Sequence, residues 1–331
     1  NYRAHRYKEA YDQLPQNLIL GSETASTVSS RGVYKFPVED KKSATYDDHQ
    51  CSSYDVEACS WSNIPDEDFA LADDNHWTIG QFVWTGFDYL GEPSPYDTNA
   101  WPNHSSMFGI IDLASIPKDR YYLYRSVWNK KAETLHILPH WTWPGREGKV
   151  TPVFVYTNHP TAELFINGKS YGKQSKNNSS LKNRYRLMWI DAVYEPGEIK
   201  VVAYNKDGKA VAEKIVRTAG KPHHIELVSN RNELTADGKD LAYITVKVVD
   251  KDGNLCPADS RQINFSVKGA GKYRAAANGD PTNLEQFHLP KMHTFNGMLT
   301  AIVQSGETAG EIVLTAKASG VKAGNIRIQT K

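Results

Sequence analysis

The segment NLILGSETAS, residues 17–26, decides the fold. Three apolar residues, Leu18, Ile19 and Leu20, run into Gly21, and Glu23 follows among Ser22, Thr24, Ala25 and Ser26. A continuous apolar run bounded by glycine predicts a strand buried on both faces, as in parallel sheets. A carboxylate at the end of such a strand is costly unless something partners or uses it. In parallel α/β sheets and barrels, reactive groups gather at the C-terminal ends of strands, and Glu23 falls there. The competing reading is a structural carboxylate locked by an arginine.

The flanking pattern supports a parallel sheet. HRYKEAYDQL (5–14) places Tyr7, Ala10, Tyr11 and Leu14 on one helical face. A long polar stretch, 27–63, separates the first strand from IPDEDFALADD (64–74), where Pro65 and the acidic residues after it suit a helix start. TIGQFVWTGFDYLG (78–91) is a second buried strand with a loop behind it. KDRYYLYRSVWN (118–129) is an amphipathic helix with Tyr121, Tyr124 and Trp128 on one face. Helix, strand, loop, helix, strand, loop, helix is βα repetition.

Near residue 132 the pattern changes to short alternating strands. TPVFVYTN (151–158), AELFING (162–168), EIKVVAYN (198–205) and AEKIVRT (212–218) predict one β-sandwich over 133–219, with Asn167-Gly168 as a hairpin turn. A second sandwich is predicted over 220–331, of immunoglobulin-like size. There AYITVKVVD (242–250) sends Ile244, Val246 and Val248 to one face, and GEIVLTAKA (310–318) does the same with Ile312, Leu314 and Ala316. The chain, at 331 residues, is too long for one ordinary core, and two or three domains are expected.

Bulk properties remove several function classes. Lysine plus arginine (39) nearly cancels aspartate plus glutamate (38), so no footprint for nucleic acid or a membrane surface is present. No run of 18 apolar residues predicts a membrane span. Cys51, Cys59 and Cys256 make no disulfide framework, though a Cys51–Cys59 bridge is open. No histidine shows zinc spacing with them, so no metal site is expected. DKDGN (250–254) resembles the start of a calcium loop, but Leu255 and Arg261 stand where glycine and glutamate are needed, and it reads as a turn. No nucleophile elbow and no phosphate-cradling glycine loop occur.

The chemistry concentrates at the ends of the two strands. Glu23 ends the first; Trp84, Asp88 and Glu92 end the second, in FVWTGFDYLGEP. Aromatic rings stack on sugar C–H faces, and a carboxylate can bind hydroxyls or attack an anomeric carbon. For Trp84 the alternative is core packing; for Asp88 and Glu92 it is a loop salt bridge. His49, His76 and His104 also lie in this loop-rich region, where a solvated or structural place is the simpler reading.

NLILGSETAS, GQFVWTGFDYLGEPSPY and WPNHSSMFGIIDLASIPKDRYYLYRSVW closely resemble the end of the catalytic barrel in glycoside hydrolase family 2, in particular its β-galactosidase-like enzymes of gut Bacteroidetes. ILPHWTWPGREG…AELFINGKSYG resembles the sandwich that follows the barrel, and the last 110 or so residues match the family's C-terminal immunoglobulin-like domain in pattern. The resemblance implies the C-terminal part of a (β/α)8 TIM barrel (1–132) followed by two immunoglobulin-like β-sandwiches (133–219 and 220–331). It implies Glu23 as nucleophile on the seventh strand, Asn1-Tyr2 at the end of the sixth with Tyr2 beside the nucleophile, and Trp84 on the eighth as the floor of the sugar subsite. Asp88 and Glu92 follow as substrate contacts. It implies no cofactor, a β-galactoside or related β-glycoside as substrate, and a bacterial periplasmic or extracellular location.

A barrel needs about 250 residues, and only about half are present. Retaining hydrolysis needs two carboxyl groups about 5–5.5 Å apart, and the family's acid/base glutamate follows an asparagine on the fourth strand. Asn232-Glu233 lies in the last sandwich and does not fill that role. The chain starts at Asn1 rather than Met, as an excised or processed piece would. The expectation is therefore an incomplete glycosidase, inactive alone, that partners the missing N-terminal part of the same enzyme or covers its open edges by oligomer contacts. A different class is a carbohydrate-binding or adhesion module built on the sandwiches. Its candidate platform is HWTW (140–143), through His140, Trp141 and Trp143, unless that cluster plugs a domain interface.

Overall fold

The computed structural model describes residues 2–331. They form two compact units, Asn1–Asp112 with Pro117–Thr218 and Leu113–Ile116 with Ala219–Lys331.

In the first unit, the predicted helices form as Tyr7–Gln13 (after a 3₁₀ turn, Ala4–Arg6), Pro65–Asp74 and Asp119–Trp128. Pro65 opens its helix with Asp66, Glu67 and Asp68 in the first turn, where the free N–H groups favour negative charge. The two predicted strands are Ile19–Thr24 and Thr78–Val83, and they pair in parallel. They are not buried on both faces as their apolar runs predict. One face packs through Ile19 on Tyr7 and Trp77, and Tyr11 stacks on Trp77 at 4.7 Å. On the strands' uncovered positions Leu20 is 48% exposed, Ile79 61% and Phe82 63%. The sheet holds two strands, and no further strand lies against that face among the described residues, so the apolar run meets a neighbour on one side only. No closed barrel forms among the described residues. Asn1, expected at the end of another barrel strand, lies outside the described residues.

The sandwich that follows has a four-stranded antiparallel sheet in the order Ala210–Arg217, Glu198–Tyr204, Thr161–Ile166, Lys169–Ser175. It faces a three-stranded sheet of Leu135–Leu138, Val153–Thr157 and Leu187–Trp189. Alternation fills the space between them with Val155, Leu164, Ile166, Ile199 and Val201. Asn167 and Gly168 both take positive φ (48° and 80°), the conformation a two-residue hairpin needs.

The sandwich does not stand apart from the segment before it. Tyr54, Phe69 and Tyr124 share a core with Phe154, Tyr156 and Tyr185, and the Tyr54 hydroxyl donates to the Pro152 carbonyl at 2.7 Å. HWTW belongs to this packing. Trp141 is fully buried and donates to the Glu195 carbonyl at 2.9 Å. His140 and Trp143 stack at 4.0 Å, with Tyr34 edge-on to both. Burial lowers the His140 imidazole to about 4, so it packs as a neutral ring. The exposed sugar platform expected as an alternative is absent, because the aromatic faces are spent on each other.

In the second unit, a four-stranded sheet (His224–Ser229, Leu241–Val249, Met298–Ser305, Gly271–Ala277) packs on a five-stranded one. The latter runs Glu233–Leu234, Gly324–Thr330, Gly310–Lys317, Gln262–Gly269, Lys291–His293. Every apolar residue predicted to face inward, Ile244, Val246, Val248, Ile312, Leu314 and Ala316, is fully buried. Asp250 closes the DKDGN turn by accepting from the backbone N–H groups of Asp252 and Asn254, both at 2.9 Å. All three cysteines are buried free thiols, so the Cys51–Cys59 bridge does not form. No helix of the described residues is long and apolar enough to cross a membrane.

Candidate active site

The site grows from the parallel pairing. Thr24 opposes Val83, and the Trp84 N–H donates to the Thr24 carbonyl at 3.0 Å. Glu23 and Trp84 therefore end neighbouring strands at the same edge of the sheet. The Tyr2 N–H donates to the Glu23 carbonyl at 3.2 Å, which brings a third predicted residue to that edge.

The small residues around Glu23 act mainly beneath it. A Cβ on Gly21 would lie 2.9 Å from the Tyr7 hydroxyl oxygen and 2.9 Å from Thr24 Cγ2, so only glycine lets the helix approach here. Ala25, Ser26 and Thr27 are buried, and Thr27 Oγ1 donates to the Asn63 carbonyl at 3.0 Å. Ser22 is exposed and Glu23 half-exposed, so the turn is packed from behind and presents the carboxylate forward.

One phenol bears on this carboxylate, and a second stands beside Trp84. Burial raises the Tyr2 phenol above its ordinary value; the Ser26 hydroxyl opposes this, while hydrogen bonding to Glu23 and the charges of Glu23 and Glu92 raise it further. Tyr2 thus stays protonated and can donate to a carboxylate. Tyr89, which the sequence reading passed over, faces Trp84 edge-on at 6.1 Å between centroids, and its hydroxyl bonds the exposed Glu92. Burial and the Glu92 hydrogen bond raise this phenol too. Its signal was the alternation of aromatics with carboxylates in FVWTGFDYLGEP, in which Tyr89 is as well placed as Trp84.

Asp88 departs from its expected role as a substrate contact. It is buried; Oδ1 accepts the Gly109 N–H at 2.8 Å and Oδ2 pairs with Lys118 Nζ at 2.6 Å. Burial raises its carboxyl to about 6 against the opposing effect of Lys118. A Cβ on Gly109 would sit 2.2 Å from the Asp88 backbone nitrogen. Lys118 also donates to the Ser29 carbonyl at 2.7 Å, and Arg120 donates to the carbonyls of Phe108 (2.7 Å) and Gly109 (3.0 Å). Asp88 is thus a clasp: it fixes the loop that carries Tyr89 and Glu92 to the start of the Asp119–Trp128 helix. Nothing in the spacing of Asp88 and Lys118 reveals that pairing. Of the histidines, His49 lies tilted against Tyr96 at 5.0 Å between centroids, His104 Nδ1 lies 3.1 Å from the Pro102 carbonyl, and His76 is exposed before the second strand, at the end away from Trp84.

The arrangement is a half-exposed carboxylate with a protonated phenol beside it and an indole on the adjacent strand. It suits attack by a carboxylate on an electrophilic carbon, with aromatic surface to hold an apolar ring face.

Comparison with known proteins places the chain. Residues 225–327 match the family model Glycoside hydrolase family 2 C-terminal domain 5, and residues 148–212 match a domain of unknown function (DUF4982). The chain is 39% identical over 340 residues to Beta-galactosidase BoGH2A of Bacteroides ovatus, covering 100% of this chain and 38% of that protein. The chain belongs to glycoside hydrolase family 2. Another relative, a putative beta-glucuronidase of Formosa agariphila, is 34% identical over 261 residues, covering 76% of this chain and 24% of that protein. Among solved structures, a beta-glycosidase from Bacteroides vulgatus superposes with a TM-score of 0.84 at 30% identity, over 98% of this chain and 43% of that one. A family 2 member from Bacteroides cellulosilyticus superposes with a TM-score of 0.80 at 28% identity, over 100% of this chain and 41% of that one. The chain spans about two fifths of the length of BoGH2A and of these two structures.

Proposed function

We propose that this chain is the nucleophile-bearing part of a retaining, β-galactosidase-like enzyme that removes terminal β-linked sugars from oligo- or polysaccharides. The observation that carries the reading is the gathering of Tyr2, Glu23 and Trp84 at one end of a parallel strand pair. The Glu23 carboxylate attacks the anomeric carbon and the glycosidic C–O bond breaks, giving a glycosyl ester that water hydrolyses. Tyr2 donates to Glu23 and holds its orientation, and Trp84 supplies the floor on which the sugar ring rests. The leaving oxygen takes its proton from an acid/base glutamate that this chain lacks. The reaction needs no redox or nucleotide cofactor.

The two strands are read as the last two of a TIM barrel whose other strands come from an upstream part of the same enzyme. The exposed Leu20, Ile79 and Phe82 support this, since the inner face of a barrel strand is apolar and packed. The 331-residue chain alone is then inactive, and the complete enzyme works in the bacterial periplasm or outside the cell. A galactoside is favoured by the likeness to BoGH2A over the whole chain; the likeness to the Formosa protein keeps a glucuronide as the second reading.

The test is to assay aryl β-galactoside and aryl β-glucuronide hydrolysis by the chain alone, by a longer protein with the upstream segment, and by its Glu23→Gln variant. Expected are no turnover by the chain, turnover by the longer protein with galactoside ahead, and a loss of roughly 10³-fold or more in the variant. Turnover by the chain alone, or an active Glu23→Gln enzyme, would overturn the reading.

A further inference from the structure

Trp101 is 72% exposed, the most exposed of the large hydrophobic side chains. Its backbone is nonetheless held on both sides. Ala100 before it is buried in the cluster that includes Trp84 and Tyr89, and Asn103 after it is buried, with its N–H donating to the Ala100 carbonyl at 2.6 Å. Asn103 Nδ2 reaches the His49 carbonyl at 3.4 Å. Exposure of a single ring is ordinary by itself; what sets Trp101 apart is the link between its turn and the loop that follows Trp84.

The turn is joined to the candidate active site. The Gly91 N–H donates to the His104 carbonyl at 2.7 Å, the Ser106 N–H to the Tyr89 carbonyl at 2.8 Å, and Leu90 bridges Ser105. Residues 104–106 therefore run against 89–91, the turn that carries Tyr89 and Glu92. Polar groups flank the ring along the chain, with Asn99 exposed and His104 half-buried. An open indole face with hydrogen-bonding residues close by in the chain is the chemistry that recognises a pyranose ring.

Resting on the function proposed above, we infer that Trp101 is a stacking platform for a sugar on the leaving-group side of the bond cleaved. A terminal sugar held over Trp84 has no residue beyond its non-reducing end. Any second ring the enzyme holds must lie toward the leaving group, and the turn of Trp101 is hydrogen-bonded to the loop that follows Trp84. Trp101 sets preference for chain length and takes no part in bond breaking.

The experiment uses the longer, active enzyme and two substrates: β-galactosyl fluoride, whose leaving group has no ring, and a galactose-terminated trisaccharide. Trp101→Ala is expected to lower kcat/KM for the trisaccharide about tenfold, mostly through KM, and to leave the fluoride within about twofold. Trp101→Phe, which keeps a ring, recovers most of the loss. Equal effects on both substrates, or none on either, would overturn the inference. If Trp101→Ala does not fold, Trp101→Gln is read in the same way. Glu23→Gln assayed in parallel separates the two ideas: an enzyme dead on both substrates upholds the nucleophile whatever Trp101 does, and an active one removes the underlying reading.

Discussion

The C-terminal sandwich and the Glu23 sheet are built from similar apolar strands and end in opposite states. In the sandwich each sheet is the other's partner, and the inward residues from Ile244 to Ala316 are fully buried. In the Glu23 sheet, Phe82 and Ile79 stand in the open while the loops around them are pinned by buried charge. Arg186 pairs with Asp66, Arg120 lies 3.5 Å from Asp55, and Lys118 holds Asp88, all with nearly no exposed surface. A sandwich closes on itself, whereas two strands of a parallel sheet have nothing of their own to close against. There the chain fixes its loops by hydrogen bonds and ion pairs, which specify geometry more than they add stability.

That contrast can be broken most sharply at Arg186, whose guanidinium bonds the Asp66 carboxylate and the carbonyls of Tyr54 (3.1 Å) and Asp55 (3.0 Å). Arg186→Met leaves Asp66 buried without its cation and is expected to destabilise the first unit by about 3–5 kcal/mol. Denaturant unfolding followed by far-UV circular dichroism should show that loss, with the second sandwich's transition unmoved. A shift of both transitions would mean that the two units do not unfold separately.

A smaller effect is expected with pH. Asp68 is buried with the Asn63 amide 2.6 Å from Oδ2, and burial raises its carboxyl from the ordinary 3.8 to about 7. The folded state thus holds a proton that the unfolded state releases near pH 4. The stability this adds is complete below pH 4 and is lost as pH rises through 7. Between those values Asp68 should remove on the order of 1–3 kcal/mol from the first unit. Thermal melts of Asp68→Asn against the parent chain should give a flatter profile; parallel profiles would show that Asp68 ionises freely.

The smallest effect tests the open face itself. Phe82→Ala should cost the 331-residue chain no more than about 1 kcal/mol, since the ring is already in water. In a longer protein with a completed barrel the same change should cost about 3–5 kcal/mol. Equal costs in the two settings would mean that Phe82 is not a barrel-interior residue.

The sequence was most legible where structure is local or periodic. Alternation placed the inward residues of the second sandwich, Pro65 marked its helix, and Asn167-Gly168 marked its turn. The apolar run at 18–20 and the segment 78–91 predicted buried strands, and the run also predicted two covered faces, because apolar residues encode a need for neighbours without supplying them. Site residues were legible as far as strand ends reach: Glu23 and Trp84 follow from position, and the structure brings them together with Tyr2. For Asp88 the salt-bridge alternative is the one realised, and its partner was illegible because Lys118 lies 30 residues on and shares no periodicity with it. Tyr89 and Trp101 were hidden among eight tryptophans and eighteen tyrosines, where only exposure separates a platform from packing.

Gly109 carries a consequence for variation. Its N–H holds Asp88, and the space a side chain would take is filled by the backbone of residues 87, 88 and 111. Neither a smaller residue nor a flexible neighbour exists to absorb a change there. In a library of variants sorted for folding, position 109 should stand out as a column with one surviving letter, in a loop where the exposed Thr98 tolerates nearly any.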